Sequence, residues 1–133
     1  MELIFPATDE ALADVNTFIE NQLDAAGCTP ANQMKIMVAI EELFVNIAHY
    51  GYDGSDGKVV LGIDFIGEDM LLTLKDNGKP FNPLEKADPD VTLSAEERDI
   101  GGLGIFMVKK SMDDVQYRYE DGYNIITIKK RII

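Results

Sequence analysis

The sequence predicts an α/β sandwich of the α+β class, in which three helices pack on one face of a mixed, mostly antiparallel sheet. Three observations lead to this fold class. One long helical segment is apolar almost all round, two pairs of alternating segments have the pattern of β-hairpins, and a stretch rich in Gly, Pro and acidic residues separates them. We expect one domain over residues 1–133, because this length suits a single core and the sequence contains neither a repeat nor a linker.

The first elements are a short strand and an amphipathic helix. Residues 3–5 are apolar and end at Pro6, and Thr8 or Asp9 can then cap a helix that ends before Gly27. The apolar residues of this helix recur at helical spacing: Leu12, Val15, Phe18, Ile19 and Leu23. This pattern predicts a surface helix with one buried face.

The second helix is predicted to begin at Pro30, with Thr29 as its N-cap, and to run to about Tyr50. Apolar residues lie on nearly every side of this helix, which is typical of a helix buried in the core.

The strands of the two hairpins come before and after the Gly- and Pro-rich stretch. Residues 59–65 and 70–74 alternate apolar side chains around a turn at 67–69. Residues 115–120 and 123–130 form the second pair, with Asp121 and Gly122 as the turn. The stretch between the hairpins, residues 76–104, is long for a connection within one domain, so we expect it to be a functional loop or lid.

The composition excludes several classes of partner. A net charge of −12 repels phosphate backbones and anionic lipids, so we expect neither nucleic acid nor a membrane to be bound. A nucleotide would need local compensation from a metal ion, a helix N-terminus or placed cations. Residues 1–6 lack the pattern of a signal peptide and the chain has one cysteine, Cys28, so we expect a cytoplasmic protein. We expect Cys28 to pack against a helix rather than to act as a catalytic thiol.

A polar stripe crosses the most apolar helix. Glu42, Asn46 and His49 lie at positions i, i+4 and i+7, and therefore share one face. A carboxylate and a carboxamide one turn apart suit a hard cation or a group to be deprotonated. Alternatively, Glu41 and Glu42 reach the surface and Asn46 only holds a loop. We expect His49 to be packed or bonded to the backbone rather than catalytic.

A second polar feature, residues 76–83, directly follows the predicted strand 71–75. Asp76 can project from the strand end and accept a hydrogen bond from an exocyclic amine such as that of adenine, and Gly78 lets the backbone pass close to a flat ring. The same residue types also make ordinary turns, which is the alternative interpretation.

The third feature is a glycine cluster at residues 101–104, ahead of a helix predicted over residues 103–112. Glycines before a helix N-terminus expose backbone N–H groups to a phosphate chain, although a flexible hinge explains them equally well. Nearby cations, Arg98, Lys109 and Lys110, could offset the acidic charge. Taken in order, the three features outline one adenine-nucleotide site with places for metal, base and triphosphate.

The same residues carry a family resemblance over nearly the whole chain. Residues 41–52 resemble the N box of the GHKL ATPases, residues 76–83 their first glycine box and residues 101–105 their second. Residues 107–115 and 126–130 are most similar to the anti-sigma-factor serine/threonine kinases of that superfamily. The resemblance implies the GHKL ATP-binding fold. The sequence also departs from the family pattern in two places. Tyr50 stands where sporulation-type members often have histidine, and the lid segment is notably acidic, with Arg98 as its only arginine.

The resemblance also implies roles for individual residues. Glu42 matches the general base, and Asn46 matches the Mg²⁺ ligand that also helps to bind the nucleotide. Asp76 matches the residue that holds the adenine amine, and residues 84–100 match a mobile ATP lid. The remaining residues implied to contact ATP are Gly78, Phe81, Arg98 (the candidate lid cation), Gly102, Leu103 and Gly104.

The implied function is that of an ATP-binding anti-sigma regulatory factor with kinase activity. It would transfer the γ-phosphate of MgATP to a hydroxyl of an anti-sigma-factor antagonist, bind a sigma factor, and form a homodimer. The alternative is a non-catalytic module whose protein binding depends on ATP. A histidine-kinase catalytic domain is a poorer match, because these 133 residues leave no room for a dimerisation helix pair with its histidine.

Overall fold

The computed structural model describes residues 1–52, 57–85 and 100–133, and for residues 100–103 it describes the backbone only. Five strands and three α-helices are found in this part of the chain. In chain order they are β1 (Glu2–Pro6), α1 (Leu12–Ala26), α2 (Pro30–Tyr50), β2 (Lys58–Ile66), β3 (Asp69–Asp76), α3 (Ile100–Ser111), β4 (Asp114–Glu120) and β5 (Tyr123–Arg131). Short 3₁₀ turns at Asp9–Ala11 and Pro83–Glu85 precede α1 and follow β3.

The helix ends follow the capping signals of the sequence. The Thr8 side chain accepts a hydrogen bond from the Ala11 N–H at 3.3 Å, so it caps the 3₁₀ turn that leads into α1. Gly27 ends α1 in the left-handed conformation, with φ 77°, which a residue with a side chain adopts less readily. Thr29 caps α2 through the Asn32 N–H, and Pro30 is the first residue of that helix, as predicted.

The sheet has the order β1-β2-β3-β5-β4, so β3 is the central strand and lies between β2 and β5. Every strand pair among the described residues is antiparallel, whereas a mixed sheet was expected. The pairs β2–β3 and β4–β5 are hairpins, and the longer connections also bring β1 antiparallel to β2 and β5 antiparallel to β3. In this register Asp76, the last residue of β3, lies opposite Asn124 near the start of β5.

The core lies between one face of the sheet and the three helices. Alternate residues of β2 and β3 are buried, and the largest fully buried side chain in the described part of the chain is Phe44 of α2. Other fully buried residues come from every layer: Ile19, Leu23, Ile36, Ile40, Leu43, Leu61, Ile63, Met70, Leu72, Leu74 and Ile105. The predicted fold class, with three helices on one sheet, is confirmed.

Helix α3 begins earlier than the sequence predicted. It starts at Ile100 rather than Leu103, so the glycine cluster lies inside its first turns instead of ahead of them. Only the amides of the first turn, Gly102 among them, lack an intrahelical acceptor and can still present N–H groups at the end of the helix. The N–H of Gly104, the fifth helical residue, is directed at the Ile100 carbonyl, so the implied contact of this amide with phosphate does not fit the helix.

Candidate functional site

A pocket opens between the C-terminal half of α2 and the adjacent ends of β3 and β5. About 320 Å³ of space outside the protein atoms lies within it, a volume that includes open solvent at its mouth. Three residues predicted for the site, Asn46, Asp76 and Phe81, line this one pocket. The other lining residues are Leu43, Ile47, Gly51, Lys79, Pro83, Asn124 and Ile126. The walls are therefore mostly apolar with a few polar groups, which is the usual character of a small-molecule site.

Asp76 provides a buried carboxylate for this pocket. Its side chain is 4% exposed, and Oδ1 accepts hydrogen bonds from Asn124 Nδ2 at 3.1 Å and from the Gly78 N–H at 3.0 Å. Burial raises the pKa of Asp76 above its ordinary value, and the bonds from Asn124 and Gly78 act in the opposite direction. Both bonds are made to Oδ1, and within the described part of the chain Oδ2 has no bonded donor, so it can accept one from a ligand.

Asn124 is a site residue that the sequence analysis missed. Besides Asp76, its amide donates to the Lys79 carbonyl at 3.0 Å and lies 3.4 Å from the Gly78 carbonyl. Its Oδ1 accepts from the Phe81 N–H at 3.1 Å and from the Tyr117 hydroxyl. One side chain thus fixes the whole segment 76–81. The available signal was an asparagine at the same alternation as Ile126 and Ile128 of β5, because a buried amide on the core-facing side of a strand needs partners.

The end of α2 lies against the same segment. The Lys79 N–H donates to the Gly51 carbonyl at 2.9 Å, and a Cβ built on Gly78 would overlap with that carbonyl. Gly78 was predicted to make room for a flat ring, but the close approach in the structure is to backbone, where a side chain cannot be accommodated. This contact joins the helix that carries Glu42 and Asn46 to the segment that carries Asp76.

Glu42 lies one helical turn before Asn46, about 6 Å along the axis of α2. Its carboxylate is against the backbone of Gly104, such that a Cβ on Gly104 would overlap with it. Glu42 is half-buried while Glu41 is exposed, so only one of the two adjacent carboxylates faces α3. An anion beside the first turns of a helix is stabilised by the helix dipole.

The mouth of the pocket is aromatic. Phe81 is 36% exposed, and its ring lies 6.4 Å from that of Tyr50, centroid to centroid. His49 points elsewhere, because its Nε2 is 2.8 Å from Asp9 Oδ1 in the 3₁₀ turn before α1. The expectation of a packed or backbone-bonded His49 is therefore wrong, since its partner is an exposed carboxylate.

Some predicted features lie outside this description. Arg98 and most of the predicted lid, residues 86–99, are outside the described residues, and the side chain of Leu103 is as well. In the described ranges no cluster of three or more His, Cys, Asp and Glu side chains could hold a metal ion by itself. None of the helices described is long and apolar enough to cross a membrane. Cys28 is half-buried, its Sγ donates to the Thr29 carbonyl, and burial raises the pKa of its thiol.

Comparison with known proteins places this arrangement in a family. Residues 5–130 match the model of the histidine kinase-like ATPase domain. The chain belongs to this family. The match includes α2, β3, α3 and all but the last residue of β5, so the elements that form the pocket or carry Glu42 and Gly104 are parts of the shared domain.

Several curated relatives are serine-protein kinases named RsbW. The protein of Bacillus mycoides is 23% identical over 133 residues, which cover 97% of this chain and 83% of the relative. That of Listeria monocytogenes is 28% identical over 99 residues, which cover 71% of this chain and 63% of the relative.

Two solved structures share the fold of this histidine kinase-like ATPase domain. The RsbU and RsbW domains of Rv1364c from Mycobacterium tuberculosis superpose with a TM-score of 0.69 at 18% identity, covering 99% of this chain and 32% of that one. The Acinetobacter baumannii histidine kinase AdeS gives a TM-score of 0.51 at 16% identity, covering 99% of this chain and 68% of that one.

Proposed function

We propose that this chain is an ATP-binding anti-sigma regulatory factor that transfers the γ-phosphate of MgATP to a serine or threonine hydroxyl of a protein. The observation that carries the proposal is the common pocket of Asn46, Asp76 and Phe81, with Glu42 one turn away on the same helix. Family membership and relatives named serine-protein kinases support it.

The adenine would occupy the pocket itself. Asp76 Oδ2 is the acceptor for the 6-amino group, and the apolar side chains of Leu43, Ile47 and Ile126 offer contacts to the faces of the ring. A buried carboxylate accepts only from a donor, so an adenine amine is favoured over the carbonyl that guanine has at that position.

The triphosphate would extend from the pocket towards the start of α3. Asn46 lines the pocket on the side of Glu42 and offers the oxygen ligand that Mg²⁺ accepts alongside phosphates and water. The absence of a three-residue acidic or histidine cluster in the described ranges fits such a site, because Mg²⁺ in nucleotide complexes needs one or two protein ligands. The N–H groups at the start of α3 suit the phosphate oxygens.

Glu42 is the residue proposed to take the proton from the acceptor hydroxyl. It lies one turn before Asn46 on α2 and against Gly104 of α3, the helix whose start is proposed to meet the phosphates. Phosphoryl transfer otherwise requires positioning and charge neutralisation, which Mg²⁺ and the helix end provide when ATP is bound.

The proposed protein partners are a sigma factor and the antagonist that carries the accepting hydroxyl, and a homodimer is the proposed assembly. These follow from the resemblance of residues 107–115 and 126–130 to anti-sigma-factor kinases. Light scattering after gel filtration, alone and with each partner, tests the assembly directly.

Calorimetric titration tests the site itself. The wild type should bind ATP, more tightly with Mg²⁺, and Asp76→Asn should weaken binding about 10-fold to 100-fold, because a charge-assisted hydrogen bond is lost. The matched control is Asp64→Asn, an exposed aspartate on β2. Equal affinities for the wild type and Asp76→Asn, or no binding by a folded wild type, would contradict the proposal.

The second candidate function is a module that binds ATP without transferring phosphate. The contact between Glu42 and Gly104 is compatible with it, because a carboxylate beside the first turns of α3 can stabilise that helix without catalysis. Phosphorylation of the antagonist by the wild type would exclude this function.

A further inference from the structure

Tyr52 lies just past the end of α2, between that helix and the loop that carries Asp76. Its hydroxyl donates to the Lys58 carbonyl at 2.6 Å and accepts from the Asn77 N–H at 3.1 Å. The same oxygen is 3.0 Å from Asn77 Oδ1. Burial raises the pKa of the Tyr52 hydroxyl above its ordinary value.

The ring of Tyr52 is also in close contact with its surroundings. It lies directly over Gly57, where a Cβ would overlap with several ring carbons. The start of β2 therefore supports the ring from one side, and the Lys58 carbonyl at that same start fixes the direction of the O–H bond.

Tyr52 contacts Asn77, which lies between Asp76 and Gly78. Asp76 is already bonded on one side to Gly78 and to Asn124, and the Lys79 N–H is bonded to Gly51. Asn77 is the remaining residue at the turn, and both its backbone N–H and its side chain meet the Tyr52 hydroxyl. This contact restrains the peptide between Asp76 and Asn77, next to the residue that carries the pocket carboxylate.

We propose that Tyr52 is a positioning residue for base selection: its hydroxyl fixes Asn77 so that Asp76 Oδ2 faces the 6-amino group of the bound purine. The inference rests on the proposed function, because it concerns the orientation of the same carboxylate. Selectivity for adenine is then set by Tyr52, a residue of the α2–β2 connection that does not line the pocket.

The test compares two nucleotides that differ at one group. ATP and purine riboside triphosphate, which lacks the 6-amino group, are titrated by calorimetry with Mg²⁺ into the wild type, Tyr52→Phe and Tyr119→Phe. Tyr119 is an exposed tyrosine on β4 and serves as the matched control. Tyr52→Phe should lower the preference for ATP about threefold to tenfold, the value of one or two ordinary hydrogen bonds, while Tyr119→Phe keeps it.

If the role of Tyr52 is purely structural, Tyr52→Phe will weaken the binding of both nucleotides equally and leave the ratio of their affinities unchanged. That result would overturn the proposal. A second measurement does not depend on nucleotide. Hydrogen exchange of the Asn77 amide should become at least several-fold faster in Tyr52→Phe, and an unchanged rate would also overturn the proposal. A folded wild type that binds neither nucleotide would contradict the proposed function, while the exchange rate would still decide whether Tyr52 holds Asn77.

Discussion

The two ends of the candidate site are built in different ways. At the base end, Asp76 and Asn124 are opposite residues of paired strands, and the bonds of Asn124 hold residues 76–81 in place. At the phosphate end, Glu42 meets Gly104 across the contact between two helices. The register of a sheet fixes positions more strictly than helix packing does, because each strand residue has one opposite partner. The base end is thus preformed, whereas the phosphate end can adjust by side-chain movement.

Replacing Glu42 should have the largest effect on activity. Glu42→Gln removes the proposed proton acceptor and should lower phosphorylation of the antagonist about 100-fold or more. Its affinity for MgATP should stay within about threefold of the wild type, since the base pocket is unchanged. A phosphorylation assay with labelled ATP measures the first quantity and calorimetry the second.

The matched control for that experiment is Glu41→Gln, one residue earlier on the exposed side of α2. It should keep its activity. Equal loss in both variants would indicate a change in the helix rather than the loss of a base.

Asn124→Ala should have the largest effect on stability. The substitution removes the part-buried bonds of this amide to the Phe81 N–H and to the Gly78 and Lys79 carbonyls, and each lost hydrogen bond costs about 0.5–1.5 kcal/mol. We expect the free energy of unfolding to fall by about 2–4 kcal/mol in denaturant titrations, with loss of ATP binding. The control is Gln116→Ala, which removes an exposed amide on β4 and should change the free energy of unfolding by less than about 0.5 kcal/mol. A similar small effect at Asn124 would contradict the preformed base end.

Substituting alanine for Gly78 and for Gly104 compares the base end and the phosphate end directly. In Gly78→Ala the new Cβ overlaps with the Gly51 carbonyl, which is backbone and cannot move aside, so we expect a loss of about 1–3 kcal/mol in stability. In Gly104→Ala the overlap is with the end of the Glu42 side chain, which can rotate away. Stability should then change by less than about 1 kcal/mol, because alanine also favours the helix, while phosphorylation falls as Glu42 is displaced. The reverse order of stabilities would contradict the comparison.

The smallest expected effect is a pH dependence at the base end. The pKa of Asp76 is raised in the folded state, so the proton is bound more tightly there than in the unfolded chain. The stabilisation from this proton is complete below the ordinary value of 3.8 and is lost as pH rises through the raised pKa. The pH dependence of adenine binding has the opposite sign, since binding needs the ionised carboxylate and weakens as pH falls through that pKa. Calorimetry with adenosine across this range should show the weakening in the wild type and not in Asp76→Asn.

Much of this fold could be predicted from local signals. Thr29, Pro30 and Gly27 determine helix ends through capping and backbone geometry, and the alternation in both hairpins gave the strands to within a residue or two. The start of α3 was misplaced because glycine disfavours helices on its own, and local propensity does not include the contact with Glu42.

The candidate site was predictable in its parts but not in its connections. The spacing on α2 and the Asp-x-Gly segment pointed to Glu42, Asn46 and Asp76 without any knowledge of distance. The role of Asn124 depends on strand register across 48 residues of sequence, which no local pattern contains. The ATP-contacting roles of these residues, and of Arg98, remain predictions.

The most direct test of the account is an NMR titration of the ¹⁵N-labelled protein with adenosine and, separately, with MgATP. Adenosine should shift the amides of Asp76, Gly78 and Phe81 and leave Gly104 unchanged. MgATP should shift the same amides together with those at the start of α3. Shifts confined to the opposite face of the sheet, around Lys75 and Tyr123, or the same shifts with both ligands, would contradict a single site with separate base and phosphate ends.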